Sequence, residues 1–181
     1  MWNFGMGYDT IIGEIFLFCA LPVHVVGGVT ILYLGYKSMD KYEAQQLLSF
    51  HSARNSDIDN PKWKNGFLGA LRPFKGTLND KNFHEIMMCL KILSDDFKSK
   101  DVEQEAISDL WTICHLGRAW ALYESGMLQS NGLLAQEQIQ ILDIWICIIS
   151  YAVMSLLDDN YEEAFWEYNE YLQTNNDRHE W

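Results

Sequence analysis

From residue 81 onward, apolar residues return every three or four positions, with charged and amide side chains between them. That spacing puts the apolar groups on one face of a helix. Phe83, Ile86, Met87, Leu90, Leu93 and Phe97 predict a first such helix, with Asn79 or Asp80 as its cap. Val102, Ala106, Leu110, Ile113, Gly117 and Trp120 predict a second, from about Asp101 to Ser125, stopped by Gly126. After a turn at "QSNG", the stretch from about Ala135 to Leu157 carries the strongest repeat. Ile139, Leu142, Ile146, Ile149, Val153 and Leu156 form its stripe, and Ile141, Trp145 and Ile148 widen it. A stripe that wide belongs to a helix covered on more than one side. Asn160 can cap a last helix whose Tyr161, Ala164, Phe165, Tyr168 and Leu172 face inward. The expected fold class is all-α, a bundle of four to five helices over residues 81–175, with a short tail at 176–181.

Upstream the pattern changes. "DKYEAQQLLSF", from Asp40, reads as a short amphipathic helix. Residues 51–80 are rich in Ser, Asn, Asp, Gly and Pro, so 37–80 is expected to be an amphipathic helix followed by a linker. In it Lys62, Lys64, Arg72 and Lys75 alternate with Trp63, Phe67 and Phe74. These residues dock the segment on the core or, on a membrane reading, touch lipid head groups. Residues 15–36, "IFLFCALPVHVVGGVTILYLGY", contain no Asp, Glu, Lys or Arg and follow a tail at 1–14. As a helix they reach about 33 Å, which matches a hydrocarbon core of about 30 Å. Lys37 and Lys41 flank one end, and Asp9 and Glu14 the other. The positive-inside rule then predicts a single span with the remainder in the cytoplasm. Pro22 and Gly27-Gly28 keep open a buried element of a cytoplasmic fold, including a strand pair joined at the glycines.

Charge divides the chain. Residues 1–100 carry 11 Lys/Arg against 10 Asp/Glu, while residues 101–181 carry only Arg118 and Arg178 against 15 acids. An acidic field of that size disfavours nucleic acid and anionic lipid as partners of the second half and favours a basic protein. The bland alternative is an acidic surface that serves solubility. Cys19, Cys89, Cys114 and Cys147 are too scattered for a zinc site, and read as buried free thiols in a reducing compartment.

No catalytic pattern completes itself. "HEIMM" opens like a zinc-protease helix, but Met88 stands where the second His is required. No Glu is followed three positions later by His, and neither a Gly-x-Ser-x-Gly elbow nor a phosphate loop occurs. "GMGYDT" at Gly5 is a broken glycine fingerprint with no strand before it. No cofactor or metal is expected. His115 and Arg118 lie one turn apart, and Asp143 sits in the most apolar helix. The expectation is a structural ion pair between Arg118 and Asp143, with an active site built on His115, Arg118 and Asp143 as the rival. Near the C-terminus, Glu162, Glu163, Trp166, Glu167 and Glu170 share the face opposite the inner stripe, either as a solvated surface or as an acidic acceptor with an aromatic anchor.

"LRPFKGTLNDKNFHEIMMCLKIL", "LWTICHLGRAWALYESGML", "LLAQEQIQILDIWICIISYAVMSLLD" and "EEAFWEYNEYL" together resemble immunity proteins of bacterial polymorphic-toxin systems, such as contact-dependent growth inhibition. The similarity spans roughly residues 67–172 and consists of helix faces and turns. It implies a non-enzymatic protein that binds and occludes one cognate toxin domain, often a basic nuclease. The residues themselves also leave open a membrane-associated enzyme or regulator, and a soluble helical scaffold.

Overall fold

Asp40 opens the first helix, α1 (Lys41–His51), through a reciprocal cap. Its carboxylate accepts the Glu43 N–H at 2.8 Å, and the Glu43 carboxylate accepts the Asp40 N–H at 2.9 Å. The computed structural model describes residues 39–176. The expected tail at 1–14, the membrane span at 15–36 and residues 177–181 lie outside the described residues.

The segment expected to be a linker is part of the core. Asn60 and Pro61 start α2 (Pro61–Asn65), the Asn60 side chain accepting the Lys62 N–H at 3.0 Å. A second short helix, α3 (Phe67–Leu71), buries Phe67, Leu68 and Leu71. Two glycines permit this. A Cβ on Gly66 would stand 2.6 Å from the Phe50 carbonyl oxygen, and one on Gly69 would overlap the Trp63 carbonyl oxygen. Polar composition described the outer side of this segment correctly and concealed "FLGAL". Residues 39–80 belong to the same compact unit as the helices that follow.

Helix α4 (Asp80–Ser99) buries all six residues of its predicted stripe and ends at Lys100, which takes the left-handed conformation with φ 63°. Helix α5 (Gln104–Gly117) buries Ala106, Leu110, Ile113 and Gly117, then widens into a π-helical turn, Arg118–Leu122. The predicted stop, Gly126, is instead the cap residue of a one-turn helix, α6 (Met127–Ser130), with an ordinary negative φ. Glycine is required there because a Cβ would lie 2.6–2.8 Å from the carbonyls of Ala119, Trp120 and Tyr123.

Helix α7 (Gln136–Leu157) packs against α4, α5, the π turn and α8 (Trp166–Asn176), while α1 covers α4 and α5. It buries Leu142, Trp145, Ile146, Ile148, Ile149 and Leu156. Each such side chain contributes about 2 kcal/mol of transfer free energy. Ile141 departs from expectation at 38% exposure. By length and composition α7 could cross a membrane, yet 44% of its most apolar stretch is buried against other helices. The last helix starts later than predicted, because Tyr161–Phe165 form turns after Asp159, whose φ is 60°. Among the described residues every element is helical and none is a strand.

Candidate functional site

Helix α8 is held on an aromatic seat. Phe83 of α4 stacks on Trp145 of α7, with centroids 5.4 Å apart and planes at 7°. Tyr168 and Tyr171 of α8 meet Phe83 edge-on at 5.6 and 5.3 Å. Their hydroxyls are used as well: Trp145 Nε1 donates to Tyr171 Oη at 2.9 Å, and His84 Nδ1 lies 2.9 Å from Tyr168 Oη. Lys91 stands over the rings of Phe165 and Tyr168, and Lys98 over Tyr161. Partial burial lowers the Lys91 pKa. Lys91 and Lys98 of α4 are therefore committed to rings, and Glu170 of α8 is left exposed.

That outer side carries the residues singled out from sequence. Trp166 is 60% exposed, Glu162, Glu163 and Glu170 are exposed, and Glu167 is half-buried. Glu162 and Glu163 sit in the turns before the helix, not on it. Glu163 also accepts from Asn160 Nδ2 at 2.9 Å and from Tyr151 Oη at 3.4 Å. The surface offers acceptors around an indole ring, which suits guanidinium and ammonium groups. No group of three or more His, Cys, Asp and Glu among the described residues is arranged to hold a metal ion.

The expected ion pair does not form. Arg118 Nη2 donates to Ser150 Oγ at 3.0 Å, and Asp143 lies on the exposed side of α7, where it accepts a 3.9 Å contact from the Cys147 thiol. The reason is rotational. Leu142, Trp145, Ile146 and Ile149 define the buried side, and Asp143 points away from it despite its apolar neighbours in sequence. His115 is exposed and stacks on Trp111 at 6.1 Å. The structure thus brings no two of His115, Arg118 and Asp143 into a shared polar contact. Cys89 and Cys114 are buried free thiols with pKa values raised by that burial, but Cys147 is exposed.

The buried polar groups are elsewhere. His51, fully buried at the end of α1, accepts the Phe67 N–H through Nδ1 at 3.1 Å, so it caps α3. Its Nε2 stands 3.2 Å from Glu85 Oε2 in a bent contact. Glu85 also pairs with Lys62, whose ammonium donates to Asn82 Oδ1 at 3.0 Å, and Asn82 Nδ2 donates to the Asn65 carbonyl at 2.8 Å. A second cluster joins Ser52 Oγ and Arg54 Nη1 to Asp109 at 2.7 and 3.2 Å. Burial raises the Asp109 pKa, opposed by Ser52 and Arg54. Sequence reasoning passed over both clusters. A signal existed, because Asn82, Glu85 and Cys89 repeat at three-four spacing beside the α4 stripe.

No protein-family model matches the chain, and neither a curated protein nor a solved structure matches it significantly.

Proposed function

We propose that this chain is a non-enzymatic binding protein: an immunity protein that captures a basic toxin domain and blocks it. The observation that carries the reading is the outer side of α8, where Trp166 stands exposed among Glu162, Glu163 and Glu170. The inner side of the same helix is fully committed to the aromatic seat, so its outer side is free to evolve toward a partner. Residues 101–181 supply two bases against 15 acids, a field that accelerates encounter with a cationic protein. The resemblance over residues 67–172 points the same way. Residues 15–36 would hold the bundle at the inner membrane with its C-terminal part in the cytoplasm.

Co-expression with a toxin gene, should one lie adjacent to its own, tests the function directly. Survival is expected; cell death at the rate seen without this protein sinks the reading. Replacing Glu163, Glu167 and Glu170 together by Lys should slow association at low salt by about tenfold or more, with dissociation changed less. Equal association rates would remove this face from the interface.

A further inference from the structure

A second exposed surface lies between α5 and α7, away from the acidic side of α8. The two helices run antiparallel: a Cβ on Gly117 would meet Ile146 Cδ1 at 2.8 Å, and the Ser150 hydroxyl meets both Arg118 and Cys114. One turn beyond that contact, Trp111 on α5 comes level with Met154 on α7. Trp111 is 71% exposed, and Met154 and Leu157 are each 51% exposed. The ridge Asp143, Cys147, Ser150, Met154, Leu157 advances by alternating steps of four and three, so these residues form one line along α7. Beside it runs the line Trp111, His115, Arg118 on α5, with the Trp111 and His115 rings stacked at 7°.

A tryptophan this open is unusual, because the residue is normally well buried in monomers and is enriched in binding anchors. Asp143 lies at one end of this ridge, and Asp158 and Asp159 follow Leu157 at the other, all exposed, with Asp159 also accepting from Tyr161 Oη at 2.7 Å. Arg118 is the only Lys or Arg between residues 101 and 176, and Ser150 already holds it.

The geometry points to this α5–α7 face as a docking site for a cationic amphipathic segment of a partner protein, with apolar side chains seated on Trp111, Met154 and Leu157 and Lys/Arg groups reaching Asp143, Asp158 and Asp159. Charge selects this occupant. A second copy of the chain would bring the same carboxylates together on molecules of net charge −12 each. Anionic lipid head groups would face the same repulsion. A basic helix satisfies the apolar line and its acidic ends at once.

The inference rests on the binding reading above but assigns a different surface. Its test uses the full chain and a lysine–leucine amphipathic peptide of about 18 residues, with a scrambled peptide of equal composition as control. Cys147 reports occupancy through its alkylation rate, read by peptide mass spectrometry, because it is exposed on the same ridge while Cys89 and Cys114 are buried. The amphipathic peptide should bind, slow alkylation of Cys147, and bind more weakly as salt rises. Trp111→Ala and Met154→Ser should each weaken it by about tenfold or more, with melting curves unchanged because both side chains are exposed. Equal binding of the scrambled peptide, or no loss in either variant, overturns the proposal. So does protection of Cys147 before any peptide is added, which would mean that the chain itself or a second copy covers the face. If the Glu163, Glu167, Glu170 triple Lys variant alone loses binding, this face falls and the α8 surface stands. Failure of toxin neutralisation, judged by co-expression, would instead remove the immunity reading whatever the peptide does.

Discussion

His51 can take a second proton only at Nδ1, the atom that accepts the Phe67 N–H. Protonation would break that bond and place a cation in a fully buried site, beside the Lys62 charge. Burial accordingly lowers the His51 pKa, although Glu85 works against the shift. Burial also lowers the His84 pKa. Both folded values lie below the ordinary value of about 6.5, so the unfolded chain binds more protons between the folded and unfolded values. Stability is therefore complete above about pH 6.5 and declines as pH falls from there toward the folded pKa. Urea melts at a series of pH values should show this decline, and His51→Gln should flatten part of it from a lower starting stability. An unchanged slope in the variant would assign the whole effect to His84. The two aspartates separate as sharply. Asp109→Asn disturbs the contacts to Ser52 and Arg54 in a buried site and should cost about 2 kcal/mol. Asp143→Asn alters an exposed group and should stay within about 0.5 kcal/mol of the parent. Thermal melts of the two variants should separate the buried Asp109 from the exposed Asp143 by this difference.

At the scale of elements, the short helices α2 and α3 carry more than their length suggests. They close over the ends of α1 and α4, bringing Phe67 into the core and Lys62 to Glu85. Gly69 is the point of closest approach, where a Cβ would meet the Trp63 carbonyl oxygen, an atom of the backbone that cannot rotate aside. Gly69→Ala should therefore destabilise by about 3 kcal/mol, measured by denaturant titration. At Gly117 the obstructing atom is the flexible end of Ile146, so the same substitution there should cost less. Helix α8 depends on few polar contacts. Tyr171→Phe removes the acceptor for Trp145 Nε1 and should cost about 1 kcal/mol. The loss should appear first as faster amide exchange in α8.

The whole molecule pairs an acidic helical bundle with an apolar N-terminal run. Its charges are sorted by position: several cations of the first half are tied to rings and carboxylates, as with Lys62, Lys91 and Lys98. Most acids of the second half remain unmatched because that half holds almost no bases. Association with a cationic partner should consequently weaken with ionic strength, since exposed charges are screened beyond about 10 Å at moderate salt. Membrane attachment is a separate proposal, which rests on the apolar composition of residues 15–36. A spanning segment keeps the protein in the membrane pellet through a carbonate wash, whereas release into the supernatant would exclude the anchor.

Periodicity alone determined the long helices from residue 80 onward, because an apolar residue every three or four positions has few alternatives to a buried helix face. The α4 stripe and most of the α7 stripe are buried as that pattern requires. Pattern could not determine rotation or partners. Asp143 looked buried because its neighbours in sequence are apolar, but burial depends on the direction a side chain points and on what packs there. Residues 51–80 looked like a connector because polar residues outnumber apolar ones, yet two glycines let one short apolar pentapeptide reach the core. The pairing of His51 with Glu85, and of Asp109 with Ser52 and Arg54, joins residues 34 to 57 positions apart. Only the tertiary fold brings such groups together, because the free energy of excluding water from them comes from the packing of several helices at once.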